Sequence, residues 1–212
     1  MDRLIKMDRI VKFVLCLFLT AGLTGAAIAQ SDFSADVFDT QKSDTVAQAK
    51  IYATKDKLRF EPAKKEARGG AFIMNLTTQT SVVLIDQQHM YMEMPTQMAA
   101  QRNAYNLFRA GDVENACSSW EGVGKNKGGS CHKIGHDTVN GRNAIKYEGT
   151  NANGDTGTFW VDPKIAFPIK WQGKNGSGEL RNIQEGTQPA TLFEVPAGYN
   201  KLDMGGMMQQ HQ

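Results

Sequence analysis

The chain has 212 residues, 24 Lys and Arg against 22 Asp and Glu, and a hydrophobic share of 41%. That length suits one domain with a real core. A net charge this close to zero leaves no basic footprint for nucleic acid or for an anionic membrane surface, so those partners are set aside.

The N-terminus reads as an export signal. Arg3, Lys6, Arg9 and Lys12 precede an apolar run from Phe13 to Leu19, and Ala27-Ile28-Ala29 supplies a small-x-small cleavage site. A permanent span needs about 20 apolar residues, more than this run provides. With residues 1–29 removed, a single domain over 30–203 is expected in the periplasm or secreted, with no stable membrane insertion. Twenty basic and twenty acidic side chains remain.

From Phe33 to Pro95 the pattern predicts strand after strand. FSADVFDT (33–40) places Phe33, Ala35 and Val37 on one face. VAQAKIYATKDKLRFE (46–61) alternates on both sides of the Lys55-Asp56-Lys57 turn. Residues 71–94 divide into three strands near Thr77-Thr78-Gln79 and Asp86-Gln87-Gln88. The last of these is HMYMEM, where Met90, Met92 and Met94 alternate on one face of an extended chain and Tyr91 and Glu93 on the other.

After Pro95, Thr96 is a good N-cap. Met98, Ala104, Tyr105 and Phe108 form an apolar stripe up to Gly111, predicting one main helix over 96–110. Cys117 and Cys131 follow, and a lone pair in an exported protein predicts a disulfide. It closes a Gly- and Lys-rich loop at a gain of about 3 kcal/mol in the chain-entropy model. Strands then resume: NAIKYEG after the Asn140-Gly141 turn, TGTFWVD, FPIKWQ, GELRNIQ and finally TLFEV (191–195). The tail, 204–212, is aperiodic and Met- and Gln-rich, and is expected to be flexible.

These elements amount to a mainly β (α+β) chain of about ten antiparallel strands that must bury one face. The chemical motifs are sparse. Cys117 and Cys131 are fourteen residues apart, wider than zinc-finger spacing, which leaves His132 and His136 as exposed loop residues. Met90, Met92 and Met94 with His89 offer soft ligands for Cu(I), although same-face residues on a strand stand roughly 7 Å apart. Ser177 in NGSG lacks a nucleophile elbow, and no Gly-Lys-Ser/Thr closes the glycines at 122–129. No catalytic residues and no cofactor are expected.

The segments FSADV, KIYATKDKLRFE, FWVDPKIAFPIKWQ and TLFEVPAGY resemble exported bacterial proteins built like the outer-membrane lipoprotein carriers, the LolA/LolB-like half-barrels. The resemblance covers about Phe33 to Asp203. It implies an incomplete antiparallel barrel wrapped around its helix, with an apolar concavity for lipid acyl chains. It also implies scaffold roles for Asp162, Pro163 and Pro168, and it makes Arg59 the candidate counterpart of an arginine that latches the helical lid.

Taken together, a monomeric half-barrel is expected whose concave face, lined by Ile51, Leu58, Phe60, Met90, Met92, Met94 and Trp160, holds a hydrophobic small molecule, lipid or lipoprotein. The 96–110 helix, with Met98, Tyr105 and Phe108, would plug that face. Methionine suits such a role because it is unbranched and polarizable. Three alternatives stay open: the same residues fill a closed core, the Met strand binds Cu(I), or the domain is an envelope interaction module without a ligand.

Overall fold

In the computed structural model the described residues are 31–42, 45–63, 70–94, 112–121, 128–174 and 176–202. They form one sheet of twelve strands. Its first half comprises β1 (Phe33–Asp39), β2 (Ala47–Ala53), β3 (Lys57–Pro62), β4 (Phe72–Asn75), β5 (Thr80–Ile85) and β6 (Met90–Met94). The second comprises β7 (Ser130–Val139), β8 (Arg142–Thr150), β9 (Thr156–Asp162), β10 (Phe167–Gly173), β11 (Gly176–Glu185) and the short β12 (Asn200–Lys201).

The spatial order is β12-β6-β5-β4-β3-β2-β1-β11-β10-β9-β8-β7. Two antiparallel meanders are therefore joined where β1 pairs with β11, and only β12, against β6, runs parallel to its neighbour. β7 and β12 end the sheet without pairing to each other, so it is open, an incomplete barrel. Among the described residues, no helix is long and apolar enough to cross a membrane.

Local sequence accounts for most of these strands. The β7–β8 turn at Asn140-Gly141 has φ of 49° and 78°, the left-handed pair that a two-residue hairpin requires. Three expectations need correction. The strand count is twelve, because β7 and β12 were missed. β7 (SCHKIGHDTV) is the sheet's edge and mostly exposed, so its polar residues carry no burial pattern to read; His132 and His136 lie on this strand and not in a loop. TLFEV is not a strand: after Pro189, Ala190–Phe193 forms a 3-10 turn whose Phe193 is buried against Ala71, Ile73 and Leu84.

The one α-helix among the described residues is α1 (Ala116–Glu121). The expected helix over 96–110, with Met98, Tyr105 and Phe108, lies outside the described residues, as do the export segment and the tail.

At one end of the second meander an ionic cluster ties three strands. Arg142, opening β8, bonds the Asp162 carboxylate that ends β9 and reaches Glu185 of β11 at 2.9 Å, while Lys164 meets Glu185 at 3.0 Å. Asp162, only 2% exposed, also accepts the Lys164 backbone N–H at 2.8 Å. A charge so deeply buried stands only when paired and hydrogen-bonded, as this one is.

Candidate functional site: an apolar cavity inside the curved sheet

The sheet curls enough for residues of β1 to β4 and of β9 to β11 to line one cavity of about 900 Å³, to which α1 adds Ala116, Ser119 and Trp120. Its wall is largely apolar, with Val37, Leu58, Phe72, Met74, Phe159 and Trp171 among the lining side chains. Asn151, Asp155, Gln172 and Lys174 gather at one rim, where the β8–β9 and β10–β11 turns meet. There the Lys174 ammonium meets the Asp155 carboxylate at 2.8 Å, and this contact raises the lysine's pKa above its ordinary value.

Backbone spacing admits the aromatic rings. The cross-strand pairs Gly149–Gly157, Gly157–Gly173 and Gly173–Gly176 run a glycine row across four strands. Trp120 of α1 lies on Gly149 so closely that a Cβ there would be 2.6 Å from its ring. Trp120 is also near parallel to Phe159, with centroids 6.4 Å apart, and Phe159 stacks on Tyr147 at 5.1 Å.

α1 is held beside this stack by several contacts. Cys117 is bonded to Cys131 of β7, as the lone cysteine pair predicts. The Tyr147 hydroxyl donates to the Val113 carbonyl at 2.5 Å, and the Cys131 N–H donates to the Glu121 carboxylate at 3.1 Å. Burial of the Tyr147 phenol, foremost, pushes its pKa up.

The sequence-derived residues that the structure describes divide into three groups. Ile51, Leu58 and Phe60 line the cavity, and Phe60 is 37% exposed. Met90, Met92 and Met94 are half-buried outside its lining, but on the same sheet face. Pairing shows this directly: Met92 opposes Val83, Val83 opposes Phe72, Phe72 opposes Phe60 and Phe60 opposes Ile51. The methionine row therefore continues the cavity face to β6, two strands beyond Phe72 and next to the edge strand β12.

Trp160 is misplaced by the sequence reading. It belongs to the opposite face from Phe159 and Val161, 5% exposed, donating its indole N–H to Asp137 at 2.8 Å, with the Lys146 and Lys170 ammonium groups 5.2 and 5.1 Å from its ring. That hydrogen bond, first among its causes, holds the Asp137 carboxyl below its usual range. Arg59 also faces away from the cavity. Its guanidinium donates to the Leu192 carbonyl at 2.7 Å and pairs with Glu61, fastening the C-terminal segment to the outer face.

The lining residues missed in the sequence belong mainly to β4, β9, β10 and β11. In TGTFWVD three apolar residues stand together, so no alternation tells whether Phe159 or Trp160 turns inward. The glycines were the available signal: Gly157 two before Phe159, and Gly149 two after Tyr147, share one face of their strands.

No family model matches the chain, and no curated protein matches it in sequence. Among solved structures it is similar to an uncharacterized conserved protein from Thermus thermophilus, at TM-score 0.52 and 11% identity, over 82% of this chain and 91% of that one. It is also similar to the LolA superfamily protein NE2245 from Nitrosomonas europaea, at TM-score 0.31 and 9% identity, covering 78% and 90%. A further similarity is to the Pseudomonas aeruginosa MucA/MucB complex, at TM-score 0.40 and 16% identity, covering 81% of this chain and 57% of that one. At 11% identity, the likeness to the Thermus protein speaks to the fold alone.

Proposed function

We propose that this chain is an exported, non-catalytic binding protein that holds a lipid acyl chain or another hydrophobic ligand in the concavity of its half-barrel. The observation that carries this reading is the cavity itself. At about 900 Å³ it is at the upper end of the range for ligand sites, and its wall is largely apolar, with Asn151, Asp155, Gln172 and Lys174 grouped at one rim. Such a distribution suits an amphiphile, with its tail among Leu58, Phe72, Phe159 and Trp171 and its head beside Asn151, Gln172 and Lys174. Met90, Met92 and Met94 extend the same face and give a longer chain an adaptable surface to lie on.

Burial of about ten methylenes at about 0.8 kcal/mol each gives a gross gain of about 8 kcal/mol, from which the cost of association is subtracted. Binding is then reversible, as a carrier requires. The test is titration of the fluorescent fatty acid cis-parinaric acid into the wild-type protein and into Phe60→Glu. Phe60 is partly exposed at the cavity, so the charge it introduces is tolerated in the fold but unfavourable beside an acyl chain. Saturable binding by the wild type and at least tenfold weaker binding by the variant are expected. Absence of saturable binding, or equal binding by both, contradicts the proposal.

A further inference from the structure

The disulfide is attached to the cavity wall, and this position gives it a use beyond stabilising the fold. α1 is only six residues long, far below the length at which a helix is stable by itself, so its position depends on what fastens it to the sheet. It contributes Ala116, Ser119 and Trp120 to the cavity lining. Its covalent link to the sheet through a side chain is Cys117–Cys131, one residue after Ala116 and three before Trp120. Both cysteines are partly exposed, so a thiol can reach the bond.

The other fastenings are non-covalent, the main one being Ala116, which packs with Ile145, Tyr147 and Val161. The Glu114–Lys133 pair is an exposed ion pair, and such pairs contribute little. The Tyr147 to Val113 and Cys131 to Glu121 hydrogen bonds are single contacts. Trp120 is held by packing on Gly149 and Phe159, the same packing that a guest in the cavity would adjoin.

We propose that Cys117–Cys131 is a redox-operated latch on the cavity wall: its reduction loosens α1 and Trp120 and weakens the hold on an apolar guest, while the sheet stays folded. The proposal rests on the cavity being a ligand site. The reductant is a dithiol. One of its thiolates attacks a cystine sulfur and expels the other as a thiolate, and its second thiol then resolves the mixed disulfide. Two electrons pass to the cystine, the two protons given up by the dithiol end on Cys117 and Cys131, and the dithiol leaves as a disulfide.

The experiment compares cis-parinaric acid binding by the full exported chain, oxidised and after reduction with excess dithiothreitol, with far-UV circular dichroism on the same samples. The expected result is a dissociation constant at least tenfold higher in the reduced protein, an unchanged β spectrum and full recovery on reoxidation. Hydrogen exchange should rise at 116–121 and stay unchanged in β2, β3, β9 and β10. Equal binding by both forms overturns the latch and leaves the ligand site standing. Loss of the β spectrum on reduction also overturns it, because the bridge then serves folding. Failure of the oxidised protein to bind overturns the reading of the cavity itself.

Discussion

Gly178 shows how tightly backbone and rings are fitted around the cavity. A Cβ at this position would be 2.5 Å from the Trp171 ring and 2.6 Å from the Phe38 carbonyl oxygen. The ring could tilt, but the carbonyl belongs to the adjoining strand β1 and can move only with it. Gly178→Ala is therefore expected to destabilise the protein by about 2 kcal/mol, in the range for overpacking a filled site, measured as a lower midpoint of urea denaturation. An unchanged midpoint would show that this contact is slack. Where apolar and polar positions alternate, as at Ile51, Leu58 and Phe60, the sequence shows which side chains share a face, and that face lines the cavity. The same reading failed at Trp160, because FWV presents apolar side chains to both faces and hydrophobicity carries no direction there. Arg59 was misread for a different reason: its partner is the carbonyl of Leu192, 133 positions away, and a backbone acceptor leaves no mark in the sequence.

The strands of the two meanders were legible as elements, from β1 to β6 and again from β8 to β11, because each combines a turn signal with an apolar stripe. β7 and β12 were not, one being an exposed edge and the other only two residues long and set by its partner β6. The ends of the elements are where charge does structural work. Burial pushes the Glu185 carboxyl up, but hydrogen bonds from Lys164 and Arg142 outweigh it and hold the group below its usual value; Glu179 is depressed likewise, with Arg181 and Asn140 as donors. A carboxyl depressed on folding adds stability that is complete above its unfolded pKa and is lost as pH falls through the folded one. Unfolding free energy should thus stay level down to about pH 4.5, the ordinary glutamate value, and fall below it. Arg142→Met should cost about 3 kcal/mol at neutral pH by leaving the buried Asp162 carboxylate without its guanidinium, and should shorten the acid-sensitive limb. Urea midpoints measured across pH check both; a variant as stable as the wild type would show the cluster to be dispensable.

At the scale of the whole molecule, the sheet's curvature turns a string of half-apolar strands into a cavity. The outer face of β4 to β6 is covered by the chain's own C-terminal segment through Phe193, Leu192, Val195 and Tyr199, with the Tyr199 hydroxyl 3.0 Å from Asp86. The inner face, from Ile51 out to Met92, is left to line the hollow. The incomplete barrel was legible from strand count, alternation and resemblance. The depth of the hollow was not, because it depends on Gly149 and Gly178 letting Trp120 and Trp171 lie against bare backbone, a match between residues distant in sequence. The central claim is that this hollow carries an apolar guest, and native mass spectrometry of the protein taken from its own host tests it most directly. The account predicts a population heavier than the bare chain by the mass of an acyl-bearing molecule, removed by organic extraction and restored by adding lipid. A single species at the mass of the bare, disulfide-bonded chain, unchanged when lipid is supplied, would contradict it.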